Sequence, residues 1–157
     1  MKLIELVAAV CAGAALIANT SLADESPAKL IHSESMTPER RIEHAMRSLF
    51  DKPGLPLKVA PVSVEGDYAV AGWIQSDRGG RALLKKQHGK WVIQLCGGDG
   101  LKQAENLIKA GMEPLSASRL SQKVATAENK MNRDRVRKFS MFEGEVRVDG
   151  GAHPEHN

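Results

Sequence analysis

The chain has 157 residues with 22 basic and 19 acidic side chains, a formal net charge of +3. That length suits one core, and so slight an excess of positive charge gives no ground for a nucleic-acid partner. Only two cysteines are present, one of them inside an N-terminal apolar run, which excludes a disulfide framework.

Residues 1–23, MKLIELVAAVCAGAALIANTSLA, place Lys2 before an apolar stretch that closes on Ser21-Leu22-Ala23. Small residues at the −3 and −1 positions predict a signal peptide cleaved after Ala23, and with it an exported product. A membrane anchor is the rival reading, but Glu5 and the small-residue end shorten the apolar stretch below the roughly 20 residues a span needs. A lipid anchor on Cys11 would need a small residue before it, and Val10 stands there. Cleavage removes Lys2, Glu5 and Cys11, so the charge balance is unchanged and Cys96 is left as a single thiol. No further apolar span follows, so the expectation is a soluble protein without membrane insertion after cleavage, in the periplasm if the source has one.

Residues 24–36 are polar without a sustained apolar period and read as a flexible leader. Thr37-Pro38-Glu39 then carries the signals of a helix start: a capping hydroxyl, a proline for the first turn and an acid at the positive end of the dipole. Ile42, Ala45, Met46, Leu49 and Phe50 follow at helical spacing, until Pro53, Gly54 and Pro56 end the element. Four strand-like runs come next, at 57–64, 68–75, 81–86 and 91–96, joined by short turns at 65–67, 77–80 and 87–89. Links this short predict an antiparallel meander, because parallel strands need long crossovers.

The last third reads as helical. Leu101, Ala104, Leu107 and Ile108 form one stripe that ends at Gly111, with Asp99 as the expected N-cap. After Pro114, Ala117, Leu120, Val124, Ala127 and Met131 form a second stripe. Val136, Phe139 and Phe142 extend the apolar pattern to Gly144, with the basic run 133–138 as a solvated helix face or, alternatively, a surface that docks an acidic partner. The expected fold is α+β: an N-terminal helix, a four-stranded antiparallel meander, and two to three C-terminal helices packed on one sheet face. Residues 37–148 form this single domain, and 149–157 read as a disordered tail.

Candidate chemistry centres on Cys96, at the end of a strand that runs into Gly97-Gly98-Asp99-Gly100. Strict alternation puts Trp91, Ile93 and Leu95 on one face and Val92, Gln94 and Cys96 on the other. The less apolar face would leave the thiol accessible to a soft ion such as Cu(I). The competing reading is a small buried hydrophobe, the usual fate of a free cysteine. His32 and Met36 lie four apart in the leader, and His153 and His156 lie close together in the tail; each pair either helps to hold a metal or is simply solvated. Met46 and Met131 belong to apolar helix stripes, His44 points away from Met46, and His88 sits in a turn. No nucleophile elbow, zinc-protease pair or phosphate loop occurs, so no enzymatic activity is expected. A thiol-dependent enzyme would need a histidine brought to Cys96 by the fold.

The segments SLFDKPGLPLKVAPVSVEGDYAVAGWIQ, RGGRALLKK, WVIQLCGGDGLK and RVRKFSMFEGEV, in this order over roughly residues 40–148, resemble the family of small exported bacterial proteins called copper uptake system-associated proteins. The blocks 64–73 and 91–102 carry most of the likeness, including Cys96 and Asp99. The resemblance implies a periplasmic accessory of copper acquisition, working beside a copper chaperone or an outer-membrane copper receptor. It implies copper as the metal and assigns no ligands. Cys96, His32, Met36, His153 and His156 are therefore the candidate metal residues on their chemistry alone. A metal-free interaction domain, docking through its sheet face or an edge strand, is the alternative.

Overall fold

The computed structural model describes residues 36–148. Helix α1 spans Pro38–Phe50 and begins as the sequence signals require, with the Thr37 side chain accepting from the Arg40 N–H at 3.4 Å and Pro38 in the first turn. Four strands follow in a meander: β1 Lys58–Glu65, β2 Tyr68–Gln75, β3 Arg78–Gln87 and β4 Lys90–Gly97. A 3-10 turn at Asp99–Lys102 leads into α2 Ala104–Lys109, α3 Pro114–Asn129 and α4 Arg133–Ser140. A fifth strand, β5 Glu145–Arg147, completes an antiparallel sheet whose spatial order is the chain order, β1-β2-β3-β4-β5. The α+β expectation therefore holds, with one strand more than the meander read from the sequence.

Turn chemistry sets the hairpins. Gln87 pairs with Lys90, so the β3–β4 link is the two-residue turn His88-Gly89, with φ of 49° and 78°. Two successive left-handed residues make the turn whose twist matches its flanking strands, and glycine takes that conformation without strain. The β2–β3 link is also two residues, Ser76-Asp77, and β3 begins at Arg78, before the expected Arg81. Gly79 and Gly80 belong to the strand because other chain elements lie against them. A Cβ on Gly79 would come within 2.9 Å of the Lys138 carbonyl oxygen, and one on Gly80 within 2.9 Å of the Trp73 ring.

The two sheet faces carry separate cores. Ala69, Ala71, Ala82, Leu84 and Ile93 pack with Ile42 and Met46 of α1. Val70, Leu83 and Leu95, which alternate with them, pack with Leu101, Leu107, Ala117, Leu120 and Val124. The C-terminal helices thus cover one face, as expected, and α1 covers the other. Phe139 of α4 is fully buried on the helical face because Gly72 leaves room for it; a Cβ there would sit 2.8 Å from the ring. After α4 the chain turns past the sheet end, where Phe142 meets Trp73 edge-on at 6.0 Å.

Alternation along β4 is not strict. Leu83 pairs with Leu95 but Leu84 pairs with Ile93, so Gln94 is an extra residue, a bulge. One inserted residue transfers everything beyond it to the opposite face. Ile93 and Cys96 therefore share the α1 face, and Leu95 faces the helical layer. This corrects the sequence expectation, which grouped Cys96 with Gln94 and set Leu95 with Ile93. A second irregularity lies at Ala60-Pro61 in β1, between Val59 and Val62.

The stripe from Leu101 to Ile108 is two elements, not one helix. Gln103 is extended between the 3-10 turn and α2, and the Ser121 hydroxyl donates to the Lys102 carbonyl at 2.6 Å, fixing the break. Asp99 makes no side-chain cap, contrary to expectation. Its carboxylate is used elsewhere.

Candidate functional site

Three features compete for a functional role: the thiol of Cys96, a charged cluster beside the Gly97–Gly100 turn, and the outer edge of β4.

Cys96 stands opposite Ala82 on β3 and Val146 on β5, half-buried against the α1 core. Burial pushes its pKa up to about 11, so the neutral thiol dominates at neutral pH. A soft metal ion would have to displace that proton. Among the described residues no group of three or more His, Cys, Asp or Glu side chains is placed to hold an ion. Met36 is half-buried at the bend before α1. His32, His153 and His156 lie outside the described residues. Among the described residues Cys96 has Ala82 and Val146 as its cross-strand neighbours and no cluster of nitrogen or carboxylate ligands beside it.

The charged cluster was not anticipated. Arg81 is fully buried on the helical face and forms a two-pronged bond to Glu128 of α3, Nε to Oε1 at 2.7 Å and Nη2 to Oε2 at 2.8 Å. Its Nη1 donates to Asp99 at 3.2 Å, and its guanidinium lies 5.5 Å from the Phe139 ring centre. Lys102 approaches Asp99 at 3.3 Å and Glu128 at 3.9 Å, and the Ser140 hydroxyl donates to Asp99 at 2.9 Å. Burial raises the Asp99 carboxyl, but the Ser140 bond and the Lys102 and Arg81 charges outweigh it and hold the group below the usual carboxylate range. Two cations face two anions, so the cluster is electrically balanced. Its chemistry is that of a clasp joining β3, the 3-10 turn, α3 and α4. A signal was present in the sequence: Glu128 follows Leu120 and Val124 at steps of four, on the buried stripe, and Arg81 shares the strand parity of Leu83.

The sheet edges differ. At β1, the irregularity at Ala60-Pro61 interrupts the strand, and Lys123 of α3 donates to the Val64 carbonyl and to Glu65, each at 2.7 Å. Proline, a bulge and a lysine are the devices that keep an edge from pairing. At the other side β5 pairs only with Leu95, Cys96 and Gly97, followed by the Val148 N–H donating to the Gln94 carbonyl at 3.1 Å. Among the described residues no strand pairs with the outer side of Lys90–Ile93. A groove of about 520 Å³ adjoins this stretch, lined by Gln87, Val92, Gln94, Ala110, Arg147 and Val148. Lys90 and Arg147 are exposed beside it.

Comparison with protein-family models, curated proteins and solved structures finds no match to this chain. Among the described residues no helix is long and apolar enough to cross a membrane.

Proposed function

We propose that the chain is an exported, non-enzymatic periplasmic accessory of copper uptake that acts by docking onto a copper-handling protein, such as a copper chaperone or an outer-membrane copper receptor. The copper context rests on the resemblance of residues 40–148 to copper uptake system-associated proteins, and the export on the signal-like residues 1–23. The docking role is carried by one observation: among the described residues β4 keeps an unpaired main-chain edge at Lys90–Ile93, beside a groove, while the edge at β1 is blocked. Unpaired N–H and C=O groups in a row are a template for a partner strand.

A second reading has copper held directly by Cys96, with help from Met36, His32, His153 or His156. It is favoured by the thiol being half-buried and not sealed. One pair of measurements separates the two. The mature protein is titrated with Cu(I) against a competing chelator, as wild type and as Cys96→Ser, and is mixed with purified periplasmic copper-binding proteins under calorimetry. The docking reading expects a defined complex and no difference in Cu(I) affinity between the two forms. A loss of tenfold or more in Cys96→Ser, about 1.4 kcal/mol, would overturn it in favour of direct coordination.

A further inference from the structure

We infer that the outer edge of β4 at Lys90–Ile93 receives an extended, acidic segment of the partner protein as an added strand. The inference rests on the docking reading above and names the chemistry that the docking site selects.

Among the described residues β5 leaves the edge at Lys90–Ile93 open. Three residues pair with the far half of β4, and the Val148 N–H adds a bond to the Gln94 carbonyl. A strand added along Lys90–Ile93 would continue the sheet where β5 stops. Side chains of such a strand alternate between faces. On the helical face they meet the groove between Val92, Ala110 and Arg147; on the other they meet Trp91, which is half-buried against the α1 core. Main-chain bonds then supply affinity and the groove supplies selectivity.

Charge decides the partner. Lys86, Lys90 and Arg147 are all exposed around the open rungs, and the acid of β5, Glu145, stands opposite Gly97 at the distant end. Acidic side chains are drawn to this ribbon and basic ones repelled. The same charges disfavour a second copy of this chain, since pairing β4 with itself would bring two sets of Lys90 and Arg147 onto one short ribbon.

The test uses the full mature chain, isotope-labelled, without copper. Three ten-residue peptides serve as probes: alternating Asp and Val, alternating Lys and Val, and the acidic peptide with a central proline. The expected result is that only the first binds, with amide shifts and slowed hydrogen exchange at residues 90–94. Arg147→Glu should weaken it at least tenfold, and Arg147→Lys should restore most of the affinity. Equal binding of acidic and basic peptides, or shifts mapping elsewhere, would overturn the inference. So would exchange protection, in the free protein, of those amides of residues 90–93 that point away from β3, because the chain's own remaining residues or a second copy would then already hold the edge. A complex with a copper-handling protein alongside failed peptide binding removes this inference and leaves the docking reading standing. Peptide binding at residues 90–94 without any such complex keeps the acidic-segment site and removes the copper-handling partner.

Discussion

The two faces of the sheet are built on different terms. The helical face is covered by the 3-10 turn and three helices, and its centre holds a fully buried arginine bonded to a glutamate. The α1 face has one thirteen-residue helix over it, and Val62, Val64, Trp73, Trp91 and Cys96 remain half-buried there. Depth of cover decides what each face can tolerate. A charge pair is sustained where its geometry is two-pronged and its surroundings are closed; a thiol at a thinner margin is protonated but still reachable.

The contrast can be broken most forcefully at the clasp. Removing Glu128 leaves the buried Arg81 with only the more exposed Asp99 as counter-charge, so Glu128→Ala should cost about 3–5 kcal/mol in urea unfolding. The double change Arg81→Met with Glu128→Leu should recover most of that loss, since apolar replacements remove both desolvation penalties together. A double variant as unstable as the single one would show that the pair is stabilising in its own right. Next in size, Gly72→Ala drives a Cβ to within 2.8 Å of the buried Phe139 ring, and overpacking of this kind costs about 1–3 kcal/mol. Measured by the same unfolding curves, a neutral Gly72→Ala would mean that α4 can move off the sheet.

The α1 face should answer more weakly. Cys96 alkylation should accelerate with pH toward a midpoint near 11, well above an ordinary thiol. A midpoint near 8.5 would mean that the sulfur is freely solvated. The linkage has a definite sign. With the folded pKa raised, the native state holds its proton longer than the unfolded chain, so stability declines as pH climbs from about 9 to about 11. Cys96→Ala should remove that decline. On the acid side the order reverses. The Leu57 N–H on Asp51 and the Lys123 bond to Glu65 oppose the raising effect of burial and lower both carboxyls, as the contacts around Asp99 lower that group. Their stabilisation is present above the ordinary carboxylate range and is lost as pH falls below about 4, the smallest effect and one visible as an acid shift of the melting temperature.

Most of this architecture is legible in the periodicity of the sequence. Thr37-Pro38 and the stripe through Met46 specify α1 by local rules, and short glycine-bearing links force antiparallel neighbours. What escaped depended on contacts distant in sequence. The bulge at Gln94 has no residue signature, because glutamine fits a regular strand, yet it moves Cys96 to the other face. The three residues of β5 are too few to show a period. Gly79 and Gly80 resemble a turn by composition and are strand residues only because α4 and Trp73 crowd them. Arg81 and Glu128 are 47 positions apart, and each alone reads as a solvated charge. The β4 edge left unpaired among the described residues was legible only as a class, since which strand ends a sheet is decided by where the chain returns.

Strand order that follows chain order has a consequence for how the molecule assembles. The first three hairpins close over two-residue links and need little loop entropy, so they can form early. The β5 rungs and the Arg81–Glu128 bond close loops of roughly fifty residues and must come late. Until then only the 3-10 turn and α2, through Leu101 and Leu107, can cover Val70, Leu83 and Leu95, and that partly covered sheet is where a holding chaperone would matter most. Pulse-labelled exchange that protects β5 as early as β2 would contradict this sequence of events.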